Sequence, residues 1–411
     1  FRAEQLQRLS AAVSAYQQRL TDALYKDLHK VSMEVYATEI GMVQEEIRFL
    51  LKHLKTLMKP KRVRTPISHF LASSTVYHEP YGTALIMSPW NYPVNLTLTP
   101  LAGAIAAGNC AVLKPSNYSP ETSKVIAALI AETFDPHFVT VVTGGREENS
   151  SLLEQPFDYI FFTGGATVGR LVMEAAARRL TPVTLELGGK SPCIIDKTAD
   201  IKTAARRILF GKLLNGGQTC VAPDYVLIHK EVQDAFIEQC KATLREFLPT
   251  EAYISCNVPR IVNDKHFNRL IELIKGETAV IGGEAEPRGR FIPLTVLDNI
   301  DFDSPVMQEE IFGPILPLID FSDIQWAIDR IRDRPKPLAL YLFTKDRAVE
   351  KKILTELSFG GGCINDTIVH LATPFMPFGG VGPSGMGSYH GTRSFFTFSH
   401  EKSVMKKSLL I

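Results

Sequence analysis

From Thr83 onward, short apolar runs alternate with helical stretches, and this alternation limits the fold more than any other feature. The runs Thr83–Met87, 111–114, 139–142, 159–162 and Val183–Glu186 read as strands. Helical segments such as 121–133 and 168–177 fall between them. Repeated strand–helix–strand units require a parallel sheet with helices on both faces. Right-handed crossovers make it a doubly wound, Rossmann-like α/β sheet of the dinucleotide-binding type. A second alternating region has helices over 200–214, 232–247, 323–332 and 347–357. Its strands cover Tyr225–His229, 279–282 and 338–343, which predicts a second α/β domain. Ahead of both, Leu6, Leu9, Val13, Tyr16, Leu20 and Leu24 recur at helical steps, so residues 3–58 read as helical.

The 411 residues suit two or three domains at ~100–200 residues each. Lys plus Arg total 45 against 44 Asp plus Glu. That balance excludes a whole-chain basic field for nucleic acid or an anionic membrane. The basic, Pro-bounded stretch 59–66 reads as an exposed linker, and the tail 394–411 as aromatic and β-like. No signal peptide is visible, and no run approaches the ~20 apolar residues of a membrane span. The best candidate, 96–113, is broken by Thr97, Thr99, Pro100 and Asn109, and reads as buried helix and strand. The six cysteines form no C-x-x-C pair, which argues against a zinc ribbon or thioredoxin-type site. Their sparse spacing suits a reducing, cytoplasmic setting. As given, the chain is expected to be soluble, with no metal.

Two glycine signals separate on context. Residues 380–385 (Gly-Val-Gly-Pro-Ser-Gly) match G-x-G-x-x-G as a string. Pro374 and Pro377 interrupt any preceding strand and no amphipathic helix comes after, so a turn-rich loop is expected there. Residues 161–170 (Phe-Phe-Thr-Gly-Gly-Ala-Thr-Val-Gly-Arg) do follow a strand and enter a helix. There, glycines let backbone N–H groups approach a pyrophosphate.

Three residues carry candidate chemistry. Cys220 sits in the Gly-rich turn Asn215-Gly216-Gly217-Gln218-Thr219-Cys220, which can expose a thiol; a lone cysteine is otherwise a small buried hydrophobe. That hydrophobe is the reading for Cys110, Cys193, Cys240, Cys256 and Cys363. Glu186 ends an apolar strand before Gly188-Gly189, and is either a general base with a raised pKa or a paired structural carboxylate. Asn91, in Pro89-Trp90-Asn91-Tyr92-Pro93, is either an oxyanion donor or a turn residue between prolines.

Together these segments resemble the aldehyde dehydrogenase superfamily. The matching pieces are residues 89–93, Val112-Leu113-Lys114-Pro115-Ser116, 162–169, Leu185-Glu186-Leu187-Gly188-Gly189-Lys190-Ser191-Pro192, Gly217-Gln218-Thr219-Cys220 and Glu309-Glu310-Ile311-Phe312-Gly313-Pro314. Order and spacing match over nearly the whole chain. The length and the ending Ser394-Phe395-Phe396-Thr397-Phe398-Ser399-His400 look most like the class 3, fatty and aromatic aldehyde, branch.

The resemblance implies NAD(P)-dependent oxidation of medium- or long-chain aliphatic or aromatic aldehydes to acids. It implies Cys220 as nucleophile, Glu186 as base for the deacylating water, and Asn91 with the Cys220 N–H as the oxyanion hole. Lys114 would contact the adenosine ribose, and Gly164, Gly165 and Gly169 would cover the pyrophosphate. Glu310 would hold the nicotinamide ribose, with Phe312 and Trp90 beside the cofactor. Asn117 stands where the family often has an acid; without that repulsion a 2′-phosphate is tolerated, so NAD or NADP is expected. Tyr92, Leu96, Phe210, Thr219, Ile368 and Leu371 fall where the branch lines its substrate tunnel, although any of them could simply be core.

Residues 251–260 fit the class pattern poorly. The implied domains are 1–58 with 81–187 for the cofactor and 188–387 for catalysis. Residues 59–80 and 388–411 would form a bridge joining a homodimer. The alternatives are a thioester-forming acyl reductase on the same fold, which needs no Glu186, and a catalytically silent structural member.

Overall fold

The computed structural model describes residues 1–409; Leu410 and Ile411, the end of the expected bridging segment, lie outside the described residues. Strands β1 (Lys61–Val63) and β2 (Ala72–Pro80) precede the first α/β region, which supplies β3 (Thr83–Met87), β4 (Cys110–Lys114), β5 (Val139–Val141), β6 (Tyr159–Thr163) and β7 (Val183–Glu186). The second region supplies β8 (Pro192–Ile195), β9 (Tyr225–His229), β10 (Thr278–Ile281), β11 (Thr295–Asp298), β12 (Ile315–Phe321), β13 (Ala339–Phe343) and β14 (Gly361–Ile364). Last come β15 (Gly385–Met386) and β16 (Ser399–Lys407).

Three sheets result, ordered β15-β7-β6-β3-β4-β5, β10-β11-β12-β9-β8-β13-β14 and β1-β2-β16. In the first, β3 pairs in parallel with both β4 and β6. The chain steps outward from β3 to β4 and β5, then returns to β6 on the other side. That reversal opens a crevice at the carboxyl ends of β3 and β6, where doubly wound sheets bind ligands. The wholly buried helix Asn95–Ala107 follows β3 directly and ends on Gly108 in the left-handed region, φ 96°. The amino-terminal helices Arg2–Ala15, Gln17–Leu28 and Gly41–Leu57 bury Leu6, Leu9, Leu20 and Leu24 in the same core as that helix.

The five strands expected in the first region are present. The second sheet is richer than the apolar runs indicate. Pro317 interrupts the pattern of β12, and Gly361 and Gly362 dilute that of β14. Both strands form because parallel neighbours hold them in register.

The tail differs from its β-like expectation in its first half. Thr392–Thr397 is helical, started where Gly391 N–H and Ser394 Oγ bond to the buried Glu46 carboxylate. Phe395 and Phe398 bury in the core, and only Ser399–Lys407 is strand, pairing with all of β2. The 380–385 segment is the expected turn-rich loop. Its Gly385 pairs with Glu186 at the edge of the first sheet.

Candidate active site

Two adjoining cavities lie at the crevice. A cavity of about 320 Å³ is lined by Asn91, Leu96, Glu186, Cys220, Glu310 and Phe312, among others. A larger cleft of about 1020 Å³ runs past Lys114, Asn117, Thr163 and Val168. Trp90, Thr163, Gly164 and Gly165 border both.

Cys220 follows the helix Ile201–Leu213 through a tight turn. Asn215, Gly216 and Gly217 all take positive φ there, at 53°, 60° and 73°. This reverses the chain, and the nearby N–H groups of Cys220 and Val221 act to lower the thiol pKa. Burial outweighs them, with Glu310 and Glu186 adding repulsion, and the thiol is pushed up to about 12.

Glu186 ends β7 and is 3% exposed. Neither carboxylate oxygen has a hydrogen-bond partner. The structural alternative, a paired carboxylate, therefore fails. Burial raises its pKa well above the ordinary value. An uncompensated buried carboxyl is costly and calls for a chemical use.

Asn91, just beyond β3, is also buried; its Nδ2 donates to the Gln218 carbonyl at 3.0 Å. Its own carbonyl accepts from Lys30 Nζ and Asn215 Nδ2, each at 2.8 Å. Asn91 is thus tied to the turn that carries Cys220, despite their separation in sequence.

The cofactor candidates divide. Lys114 Nζ donates to the carbonyls of Pro115 and Gly144, and Asn117 is exposed on the cleft wall. Gly165 begins the helix Ala166–Ala177 beside open space, where a Cβ would meet nothing within 4 Å. Gly169 lines neither cavity; a Cβ there would come 2.7 Å from Leu187 Cδ2, so it lets helix and strand pack closely. Glu310 lies against Gly188, where a Cβ would sit 2.2 Å from its Oε2. Burial raises its pKa to about 8, helped by the charge on Asp224. Phe312 packs edge-on to Trp90 at 5.4 Å.

Of the tunnel candidates, Leu96 lines the Cys220 cavity, and Tyr92 Oη bonds Thr219 Oγ1 at 2.7 Å. Neither Tyr92 nor Thr219 lines that cavity, and the remaining three do not either. Phe210 lines a separate groove with Phe247 and Tyr253. Ile368 is buried in the core and Leu371 packs against it.

Nothing local in the sequence marks Lys30, Glu39, His266 or Arg269, yet all four sit at or directly behind the site. His266 lines the cavity beside Trp90, and Arg269 donates to the carbonyls of Glu310 and Ile311.

The aldehyde dehydrogenase family model matches residues 1–404. The chain belongs to the aldehyde dehydrogenase family. It is 52% identical over 410 residues to the 4,4'-diaponeurosporen-aldehyde dehydrogenase of Staphylococcus aureus, covering 99% of this chain and 89% of that one. It is 47% identical over 408 residues to human aldehyde dehydrogenase family 3 member B1, covering 99% and 87%. A solved substrate-bound Staphylococcus aureus AldH superposes with a TM-score of 0.98 at 51% identity, covering 100% of this chain and 90% of that one.

This aldehyde dehydrogenase accordingly oxidises aldehydes to carboxylic acids with a nicotinamide dinucleotide; neither a silent structural role nor acyl reduction is supported. Its residues fit such a cofactor. Thr163 Oγ1 is buried without a partner at the meeting of the two cavities, and Gly165 leaves the cleft beside it unfilled. Among the described residues, no helix is long and apolar enough to cross a membrane, and no side-chain group could hold a metal ion.

Proposed function

We infer that Cys220, Glu186 and Asn91 carry the reaction and that the substrates are medium- or long-chain aliphatic or aromatic aldehydes. The observation that carries this reading is the convergence of the three on one cavity, with Glu186 buried and unpartnered. The Cys220 sulfur adds to the aldehyde carbon while its proton passes to the Glu186 carboxylate of the same cavity, which gives it up to solvent before deacylation; the product is a thiohemiacetal oxyanion. The Asn91 amide and the Cys220 N–H donate to that oxygen, an interaction whose loss costs ~10²–10³ in rate. Trp90, Glu310 and Phe312 would hold a nicotinamide beside Cys220, and that group would supply the hydride acceptor needed to take the thiohemiacetal to a thioester on Cys220. Glu186 then takes a proton from water as the water attacks the thioester, and the acid leaves with Cys220 restored.

Lys114, Asn117, Gly164, Gly165 and Glu310 would hold the cofactor, with Trp90 and Phe312 beside it. Asn117 supplies no negative charge against a 2′-phosphate, which supports use of both NAD and NADP. Leu96 and Phe312 give the cavity its apolar wall, supporting apolar aldehydes over sugar aldehydes.

The division into a cofactor domain, a catalytic domain and a bridge belongs to the same proposal, as does a cytoplasmic setting. So does a homodimer: among the described residues, β16 has no neighbour on its outer edge. Light scattering is expected to give twice the chain mass, and a monomer would reject the dimer. The activity test monitors NAD(P)H absorbance with hexanal, benzaldehyde and a short aldehyde. Turnover of the first two by wild type, and none by Cys220→Ser, is expected. Wild-type inactivity, or an unimpaired variant, would overturn the reading. Strict NAD use would overturn the Asn117 inference.

A further inference from the structure

Behind the loop that carries Asn91 lies an ion pair with no contact to solvent. Lys30 Nζ and Glu39 Oε1 are 2.8 Å apart, and both side chains are 0% exposed. Burying two charges is expensive, and such pairs commonly contribute little net stability. This one is spent on backbone geometry. Lys30 Nζ also donates to the Asn91 carbonyl at 2.8 Å and lies 3.9 Å from the centre of the Tyr92 ring. Glu39 Oε2 accepts the N–H groups of Val94 and Asn95, at 3.0 and 2.9 Å, where the buried helix begins. Glu39 itself sits in the single wide turn Tyr36–Ile40, a π-helical segment. Such turns insert an extra residue into a helix and re-aim its side chains, often at functional sites. One pair therefore grips both ends of residues 91–95.

The other side of Asn91 is gripped by the cysteine turn. Asn215 Nδ2 donates to the same Asn91 carbonyl, and Asn91 Nδ2 reaches the Gln218 carbonyl. Lys30 thus meets the oxyanion donor at the atom where the nucleophile's own turn meets it.

We propose that the Lys30–Glu39 pair is a positioning device for the Asn91 amide, setting its place relative to Cys220 during oxyanion formation. This rests on the assignment of Asn91 as oxyanion donor. Lys30 lines neither cavity, so it acts through the residues it grips, Asn91 first and the Tyr92 ring beside it.

A double-mutant cycle tests it. Lys30→Met/Glu39→Gln removes both charges of the pair at nearly constant volume; Glu34, a partly buried carboxylate that Lys30 also attracts and that accepts the Asn215 N–H, is changed to Gln with them so that no lone charge is left buried. This variant is combined with Asn91→Ala, and kcat is read at saturating hexanal and NAD, with NADH binding measured by fluorescence. The pair variant is expected to lower kcat by about tenfold to a hundredfold, as a misplaced catalytic group does, with NADH affinity unchanged within twofold. In the Asn91→Ala background the same change should lower kcat less than about twofold, because there is no amide left to misplace. An equal loss in both backgrounds, or no loss beside intact Asn91, overturns the proposal. Asn91→Ala with full activity overturns instead the oxyanion assignment beneath it. If the neutral pair does not fold, Lys30→Arg runs the same cycle. It keeps the charge against Glu39 but replaces the point donor with a planar fork, and the same two outcomes decide.

Discussion

Burial holds the thiol of Cys220, the proposed nucleophile, above its ordinary pKa. Its pKa, about 12, reflects burial first and then Glu310 and Glu186. The thiolate fraction at pH 7 is therefore far below that of a free cysteine, whose pKa is ~8.5. Alkylation of the free enzyme by iodoacetamide should rise about tenfold per pH unit from 7 to 10, with no plateau. A plateau below pH 8 would show that some other group stabilises the thiolate. Glu186, the proposed base, has to take a proton from water and give it up again, and burial raises its affinity for that proton. Glu186→Gln should still form the acyl-enzyme but lose about 10²-fold in steady-state kcat. Quenched samples should show the acyl group on Cys220 by mass spectrometry, and full turnover without it would reject the base role.

These two residues were both visible in the sequence, but with two meanings each. A carboxylate at a strand end is paired or not according to what lies across the sheet edge. Here the neighbour is the backbone of Gly385, which offers no cation. Lys30, by contrast, is one polar position following a helix that already has many.

At the scale of elements, turns decide the site. A Cβ on Gly217 would fall 2.3 Å from the Gly313 carbonyl, at φ 73°. Gly217→Ala should cost ~1–3 kcal/mol and lower kcat at least about tenfold, because the displaced turn carries Cys220. Gly165 has φ −74° and open space around it. Gly165→Ala should change stability by less than ~0.5 kcal/mol, and thermal melting of the two variants separates the cases. The elements themselves were legible where apolar runs were unbroken, as in β3, β7 and β9. They were obscured in β12 and β14, where Pro and Gly weaken local preference and the parallel neighbours supply the order.

For the whole molecule, buried acids link stability to pH. Folding raises the pKa of Glu186, Asp27 and Glu310, in each case chiefly through burial, and Glu310 goes from the ordinary 4.5 to about 8. An acid raised on folding binds more protons folded than unfolded. Its contribution is fully present below the unfolded value and is lost as pH rises through the folded one. The free enzyme should therefore melt lower at pH 8.5 than at pH 5.5, and Glu310→Gln should narrow that difference. An unchanged difference in the variant would show that Glu310 does not titrate in this window.

The alternation of strands and helices, the glycine turns and the three candidate side chains were determined by sequence alone. Each is written in residues close together along the chain, where steric preference and periodicity act directly. Convergence was decided only by the tertiary structure. It set Lys30 and Glu39 behind Asn91, left Glu186 without a partner, and kept Leu96 at the cavity while sending Phe210, Ile368 and Leu371 elsewhere. Those outcomes depend on which distant surfaces meet when the sheets pack, and on the desolvation that packing imposes.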